Sequence, residues 1–314
     1  MYAAKMILLK VAPQVVSLLR SLIYYKAVRT SGFDNLSRIM LIKFTNNCPT
    51  SSSVVADPHF KTFNGHFFSY HGECDLVLMR SVQHDIAIHI RTTRVDHPSM
   101  SYSFISNAAV QVGPDVLEVL EDGEVLINGG SFASDHDNTI RFGQYELVKT
   151  KKGSKKSIIS YELDLGNGRL ISIRSNTNSG MLFVDVDGNF ADSMGLLGTP
   201  GSGDMGLYSR DGSIDMRNNW NSYGEEWQTR SGDDPMLFQK ARAPQYPLSC
   251  SYDSSSSNLR HSGRRRLMDA AGMTEDVASK ACANAVAGKK MEFCVADLMM
   301  TGDVDLAEDP FYLQ

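Results

Sequence analysis

A chain of 314 residues, 42% hydrophobic and 21% charged, is long enough for one large or two modest domains with a real apolar core. Thirty-one Lys and Arg against 36 Asp and Glu leave a formal charge of -5, which excludes the basic footprint of a nucleic-acid binder. Five cysteines suit two disulfides with one thiol left over; the alternative is five reduced thiols in a cytosolic protein. The chain opens on a basic segment, residues 1–47, in which Lys5, Lys10, Arg20, Lys26 and Arg29 precede any acidic residue. Its apolar runs are broken by Lys10, Pro13 and Arg20, so none reaches the ~20 apolar residues of a membrane span. Met6–Ala12 is also too short for the apolar stretch of a secretory signal. The composition is that of an amphipathic basic presequence, or of sequence upstream of the true start.

From about residue 60 the hydrophobic period is two. Asp57-Pro58 opens a β-entry, Phe60, Phe63, Phe67 and Phe68 give it apolar bulk, and Asn64-Gly65 is a hairpin turn signal. Ile86, Ile88 and Ile90 alternate with Ala87, His89 and Arg91, which predicts a half-buried strand. Val116–Leu120 and Glu124–Ile127 flank the turn Asp122-Gly123, and Tyr161–Leu165 and Arg169–Ile173 flank Gly166-Asn167-Gly168. Leu182, Val184 and Val186 alternate ahead of Asp187-Gly188-Asn189. Many short strands at regular spacing predict a mainly β fold, an antiparallel sandwich. The basic run Lys149–Lys156 reads as a solvated loop tip.

Residues 251–272 form a Ser- and Arg-rich linker, within which Arg264-Arg265-Arg266 is a candidate processing site. Residues 273–314 change to helical character. Thr274 is the expected N-cap of a helix running towards Val286, Gly288 breaks it, and Met291–Met300 gives a second helix. Cys282 and Cys294 fall on the two arms of this helical hairpin, where a disulfide would staple a very small unit.

Ala56-Asp57-Pro58-His59, Thr62-Phe63-Asn64-Gly65 and Gly72-Glu73-Cys74 follow one another in the order and spacing that open a von Willebrand factor type D domain. Met194-Gly195-Leu196-Leu197-Gly198-Thr199, then Asp204, Asp211 and Asp215, then Asn219-Trp220 and Trp227, resemble its closing half. Leu197 stands where the motif has Cys and Thr199 where it has Asn, so the resemblance is that of a divergent member. It places a D-type domain at residues 48–250 with its core at 54–230. The Phe293-Cys294-Val295 context resembles the helical cysteine segment that often follows such domains.

The resemblance implies an extracellular protein whose partners are other extracellular or matrix proteins, or further copies of itself. Cys48 and Cys250 flank the domain, and a bridge between them would close roughly 200 residues, worth about 5 kcal/mol in the chain-entropy model. Cys74 loses its family partner if that partner is the cysteine replaced by Leu197, and is then left unpaired. A structural Ca²⁺ is implied at Asn64, Thr199 and Asp204, in a site weakened because Asn64 replaces Asp and Thr199 replaces Asn. Asp185 and Asp187 do not open an EF-hand, since Leu196 stands at the twelfth position.

Some relatives break their own chain between Asp and Pro of the opening tetrapeptide. Here Asp57, Pro58 and His59 would be nucleophile, leaving group and proton donor, with Ala56 in place of the preceding Gly. His59, His66, His71, His84 and His89 crowd one region, yet none forms the tight local pair of a zinc site, and strand-face histidines are the expectation. The chain has no Gly-x-Ser-x-Gly elbow or phosphate loop. The reading is a non-enzymatic extracellular adhesion or matrix-assembly module stabilised by calcium. Its alternatives are a pH-triggered self-cleaving protein and an intracellular hydrolase or metal enzyme on a β-sandwich.

Overall fold

A computed structural model describes residues 51–55, 58–97, 100–132, 138–152, 157–201, 207–213, 219–243, 246–247, 249–250 and 273–313. Cys48, Asp57, Asp204, the basic segment 1–47 and the linker 251–272 lie outside the described residues.

Fourteen strands form two antiparallel sheets among those residues. The first holds, in spatial order, β10 (Thr139–Phe142), β11 (Tyr145–Lys152), β12 (Ile158–Gly166), β13 (Arg169–Asn176), β14 (Met181–Asp187), β1 (Ser51–Val55), β2 (His59–Lys61) and β3 (Phe67–Ser69). The second runs β4 (Asp75–Ser81), β5 (Ile86–His97), β6 (Met100–Val112), β7 (Asp115–Leu120), β8 (Val125–Ile127) and β9 (Gly130–Phe132). Inward-facing residues of both sheets form one apolar cluster, which includes Leu182, Val184 and Val186 of β14, Ile88 and Ile90 of β5 and Val110 of β6. This is the sandwich that the alternating pattern predicts. The turns hold as well: Gly65 and Gly123, each at φ +79°, adopt the left-handed backbone that a tight hairpin needs.

β5 departs from the prediction. Ala87, His89 and Arg91 on its outward face are as buried as its isoleucines. The chain after Trp227 returns along this face: Leu237 packs on Ala87 and Ala109, and Arg91 lies 4.3 Å from the Phe238 ring centroid. Alternation reports only that two faces differ in character; it does not report that a distant segment covers the polar one.

Helix α1 (Trp220–Glu226) lies beyond the strands, with Asn219 capping the Ser222 N–H. The C-terminal segment comprises α2 (Glu275–Ala281), a 3₁₀ turn at Cys282–Asn284, α3 (Lys289–Thr301), a 3₁₀ turn at Val304–Glu308 and α4 (Pro310–Leu313). Thr274 caps α2 without a side-chain hydrogen bond, and α2 tightens into 3₁₀ before reaching Val286. Gly288, at φ +93°, sets the start of α3. This segment is no free-standing unit. Val55, Met181 and Phe183 point away from the sandwich interior and share a second core with Phe293, Cys294, Leu298, Leu306 and Phe311. The helices are the lid of the first sheet's outer face.

Two disulfides are present among the described residues, Cys282–Cys294 and Cys74–Cys250. The second corrects two expectations, that Cys250 pairs with Cys48 and that Cys74 is left alone. Leu197 does fill the motif's cysteine position as a fully buried apolar residue. Cys74 instead meets the returning chain, whose Cys250 N–H is held by Gln228 Oε1 at 3.0 Å and whose Cα lies 4.7 Å from that of Cys74. Closing a loop of 176 residues is worth about 5 kcal/mol on chain entropy, against about 3 kcal/mol for the local bridge. Peptide mapping without reduction should yield a Cys74–Cys250 linked pair; a peptide joining Cys48 to Cys250 would refute the assignment.

Candidate functional site

The turn Thr62–His66 is closed by the Gly65 N–H on the Thr62 carbonyl and by the His66 N–H on Thr62 Oγ1. It presents Asn64 to the loop 193–201. The Asn64 amide donates through Nδ2 to the Thr199 carbonyl at 2.9 Å and accepts at Oδ1 from the Gly201 N–H at 3.1 Å. Thr199 Oγ1 donates to the Ser193 carbonyl, Ser193 Oγ donates to the Gly198 carbonyl, and the Phe63 N–H donates to the Leu197 carbonyl. Gly195 brings this loop against β4: a Cβ there would sit 2.5 Å from the Leu78 carbonyl oxygen. Asn64 and Thr199 are thus brought together as the sequence implied, but as partners of each other.

That geometry does not fit a calcium ion on the described candidates. Ca²⁺ takes six to eight hard oxygen ligands, preferably anionic ones. Here the Thr199 carbonyl faces an N–H donor, Asn64 Oδ1 is engaged by a main-chain N–H, and the Thr199 hydroxyl is turned to Ser193. Among the described residues no three His, Cys, Asp or Glu side chains are grouped to hold a metal ion.

His59 is buried on β2. Its Nδ1 lies 2.7 Å from Ser69 Oγ, its Nε2 lies 3.6 Å from Asp297 Oδ1 of α3, and its ring stacks on Phe293 at 3.9 Å. Tyr312 of α4 donates its hydroxyl to Asp297. Nδ1 thus pairs with β3, while the ring stack on Phe293 and the 3.6 Å approach to Asp297 set β2 against α3. The remaining histidines are dispersed. The His71 ring is edge-on to His59 at 6.3 Å, His84 contacts Arg169 and Phe190, and His89 lies on the other sheet beside Phe238. Burial lowers the His89 pKa from 6.5 to about 4, with Asp234 and Asp75 opposing the shift.

A second polar cluster, away from the motif positions, lies on the outer face of the first sheet. Register places Glu162, Ser172, Asp185, Ser53 and Lys61 in one row across β12, β13, β14, β1 and β2. The row floors a cavity of about 200 Å³ walled by Lys290, Pro310 and Phe311. At its edge Arg174 donates Nε and a second N–H to the two oxygens of Asp309, at 3.0 and 2.9 Å, and another to Asp185. Burial opposes the Arg174 charge, yet Asp309 and Asp185 outweigh it and raise its pKa. Burial also pushes the Asp185 carboxyl up against the pull of Arg174, and Asp187 up against Lys61. Lys61 donates to Ser51 Oγ, Ser52 Oγ to the Val186 carbonyl, and Lys290 Nζ to the Phe311 carbonyl. Strand alternation puts Asp185 and Asp187 on one face, a signal present in the sequence. Nothing local links that face to Asp309, more than a hundred residues on.

Residues 52–192 match the family model described as von Willebrand factor type D domain. The match ends before the loop at Gly195–Thr199 and so is shorter than the 54–230 span read from the motifs. Cys250, Asp297 and Asp309, which hold the returning chain and the helices to the sandwich, all lie beyond it.

Arg174→Met leaves the buried Asp309 carboxylate and the partly exposed Asp185 uncompensated and should cost about 3 kcal/mol. Hydrogen exchange would show protection lost first in residues 273–313; uniform loss across the sheets would refute this role. His89 supplies a pH dependence. The unfolded chain takes up a proton as pH falls through 6.5, whereas folded His89 does not until about 4. Stability is therefore full above pH 6.5 and declines between 6.5 and 4, by on the order of 3 kcal/mol at the lower end. His89→Leu should flatten this part of a denaturation-against-pH curve.

Proposed function

The chain carries a von Willebrand factor type D domain, and from that premise we propose that it is a non-enzymatic extracellular module for adhesion or matrix assembly, binding other extracellular proteins or further copies of itself without covalent links. D domains in general mediate protein–protein interaction rather than catalysis, and the two disulfides accord with an oxidising, extracellular place. No helix among the described residues is long and apolar enough to cross a membrane.

One observation supports the non-covalent reading. All four described cysteines are spent on bonds within the chain, and Cys74, Cys282 and Cys294 are buried. Cys74, the residue that a covalent assembly would have used, bonds Cys250 instead. What remains for recognition is surface: the cavity beside Lys61, Lys290 and Phe311 and the rims of the two sheets.

Secretion from a eukaryotic host, followed by thiol counting and sedimentation with and without an alkylating agent, tests the reading. The expected protein is secreted with four oxidised cysteines, binds an immobilised extracellular-matrix preparation saturably, and sediments identically after alkylation. Five free thiols in folded protein would point to a reduced compartment and end the proposal. A new amino terminus at Pro58 after incubation below about pH 6 would instead identify a self-processing protein.

A further inference from the structure

The side chain at position 64 decides whether the turn Thr62–His66 can hold the loop 193–201 unaided. An amide carries a donor and an acceptor on one planar group. Asn64 uses both, giving Nδ2–H to the Thr199 carbonyl and taking the Gly201 N–H on Oδ1. A carboxylate at this position could still accept from Gly201, but it has no hydrogen for Thr199. Its second oxygen would meet the carbonyl lone pair to lone pair, a conflict that a cation between them would relieve. With the amide no such conflict exists, and the Thr199 hydroxyl, another candidate ligand, donates to the Ser193 carbonyl. The Phe63 N–H on the Leu197 carbonyl and the Ser193 hydroxyl on the Gly198 carbonyl complete a junction made of direct hydrogen bonds.

We infer that Asn64 fastens this D domain's turn to its 193–201 loop by direct amide hydrogen bonds in place of a calcium ion, so that the fold does not depend on calcium. The consequence is a domain that keeps its structure where calcium is scarce or chelated.

Thermal unfolding of the full chain in EGTA and in millimolar CaCl₂ tests this. The wild-type midpoint should be the same in both. Asn64→Asp, compared with wild type in EGTA, should unfold lower by about 2–4 °C, the shift expected for one lost hydrogen bond in a domain of this size. A wild-type midpoint that falls by a similar amount in EGTA and recovers with CaCl₂ would overturn the inference. So would an Asn64→Asp midpoint equal to wild type in EGTA. Should Asn64→Asp fail to fold, the wild-type comparison, with calorimetric titration of CaCl₂ into EGTA-treated protein, still decides: measurable calcium binding at the stabilising concentration overturns it, and none sustains it.

Discussion

A β-sandwich has two outer faces as well as one interior, and here both outer faces carry residues that cannot be left in water. Val55, Met181 and Phe183 point outward from the first sheet, and Ala87, His89 and Ala109 from the second. Each must be covered by chain supplied from elsewhere. The segment after Trp227 covers the second sheet and the helical segment 273–313 covers the first. At roughly 25 cal/mol for each Å² of apolar surface removed from water, these lids are part of what keeps the sandwich folded. Hydrophobic cover alone does not choose a register, and the polar contacts beneath the lids supply that choice.

Several of those contacts set a buried carboxylate or arginine of the sandwich against the covering chain. Asp75 on β4 takes Arg91 from β5 and Arg242 from the returning chain, the latter with an N–O distance of 2.6 Å. Glu118 on β7, fully buried, accepts the main-chain N–H groups of Gln239 and Lys240 at 2.6 and 2.8 Å. Arg210 binds Asp234 and the Glu226 and Gln228 carbonyls while lying over Trp227. Arg174 joins β13 to Asp309. Buried charges of this kind add little net stability against apolar substitutes, but leaving one partner alone is costly. They therefore penalise dockings of the lids that leave one of them unpaired. The disulfide Cys74–Cys250 acts in the same direction, tying the end of the returning chain to the foot of β4.

Within that frame the motif positions have taken structural posts. Leu197 fills with apolar bulk the place of a cysteine, and Asn64 ties two loops through its own amide. His59, the residue after the Asp-Pro pair, is an anchor for α3.

The sequence by itself determined the strand content, the hairpin turns, the two helices around Gly288 and the kinship of the opening motifs. All of these rest on interactions within a few residues: period-two alternation, the left-handed backbone at Gly65 and Gly123, a glycine that cannot continue a helix. It also placed Asn64 and Thr199 in one junction, though only through resemblance. Tertiary structure decided the partner of Cys74, the burial of β5 on both faces, the place of the helices as a lid, and the meeting of Arg174 with Asp309. Each of these joins residues across a long stretch of chain whose path is set by the sum of many weak contacts. Local pattern carries no record of that path, because a strand's alternation fixes which residues share a face and leaves open what will come to lie upon it.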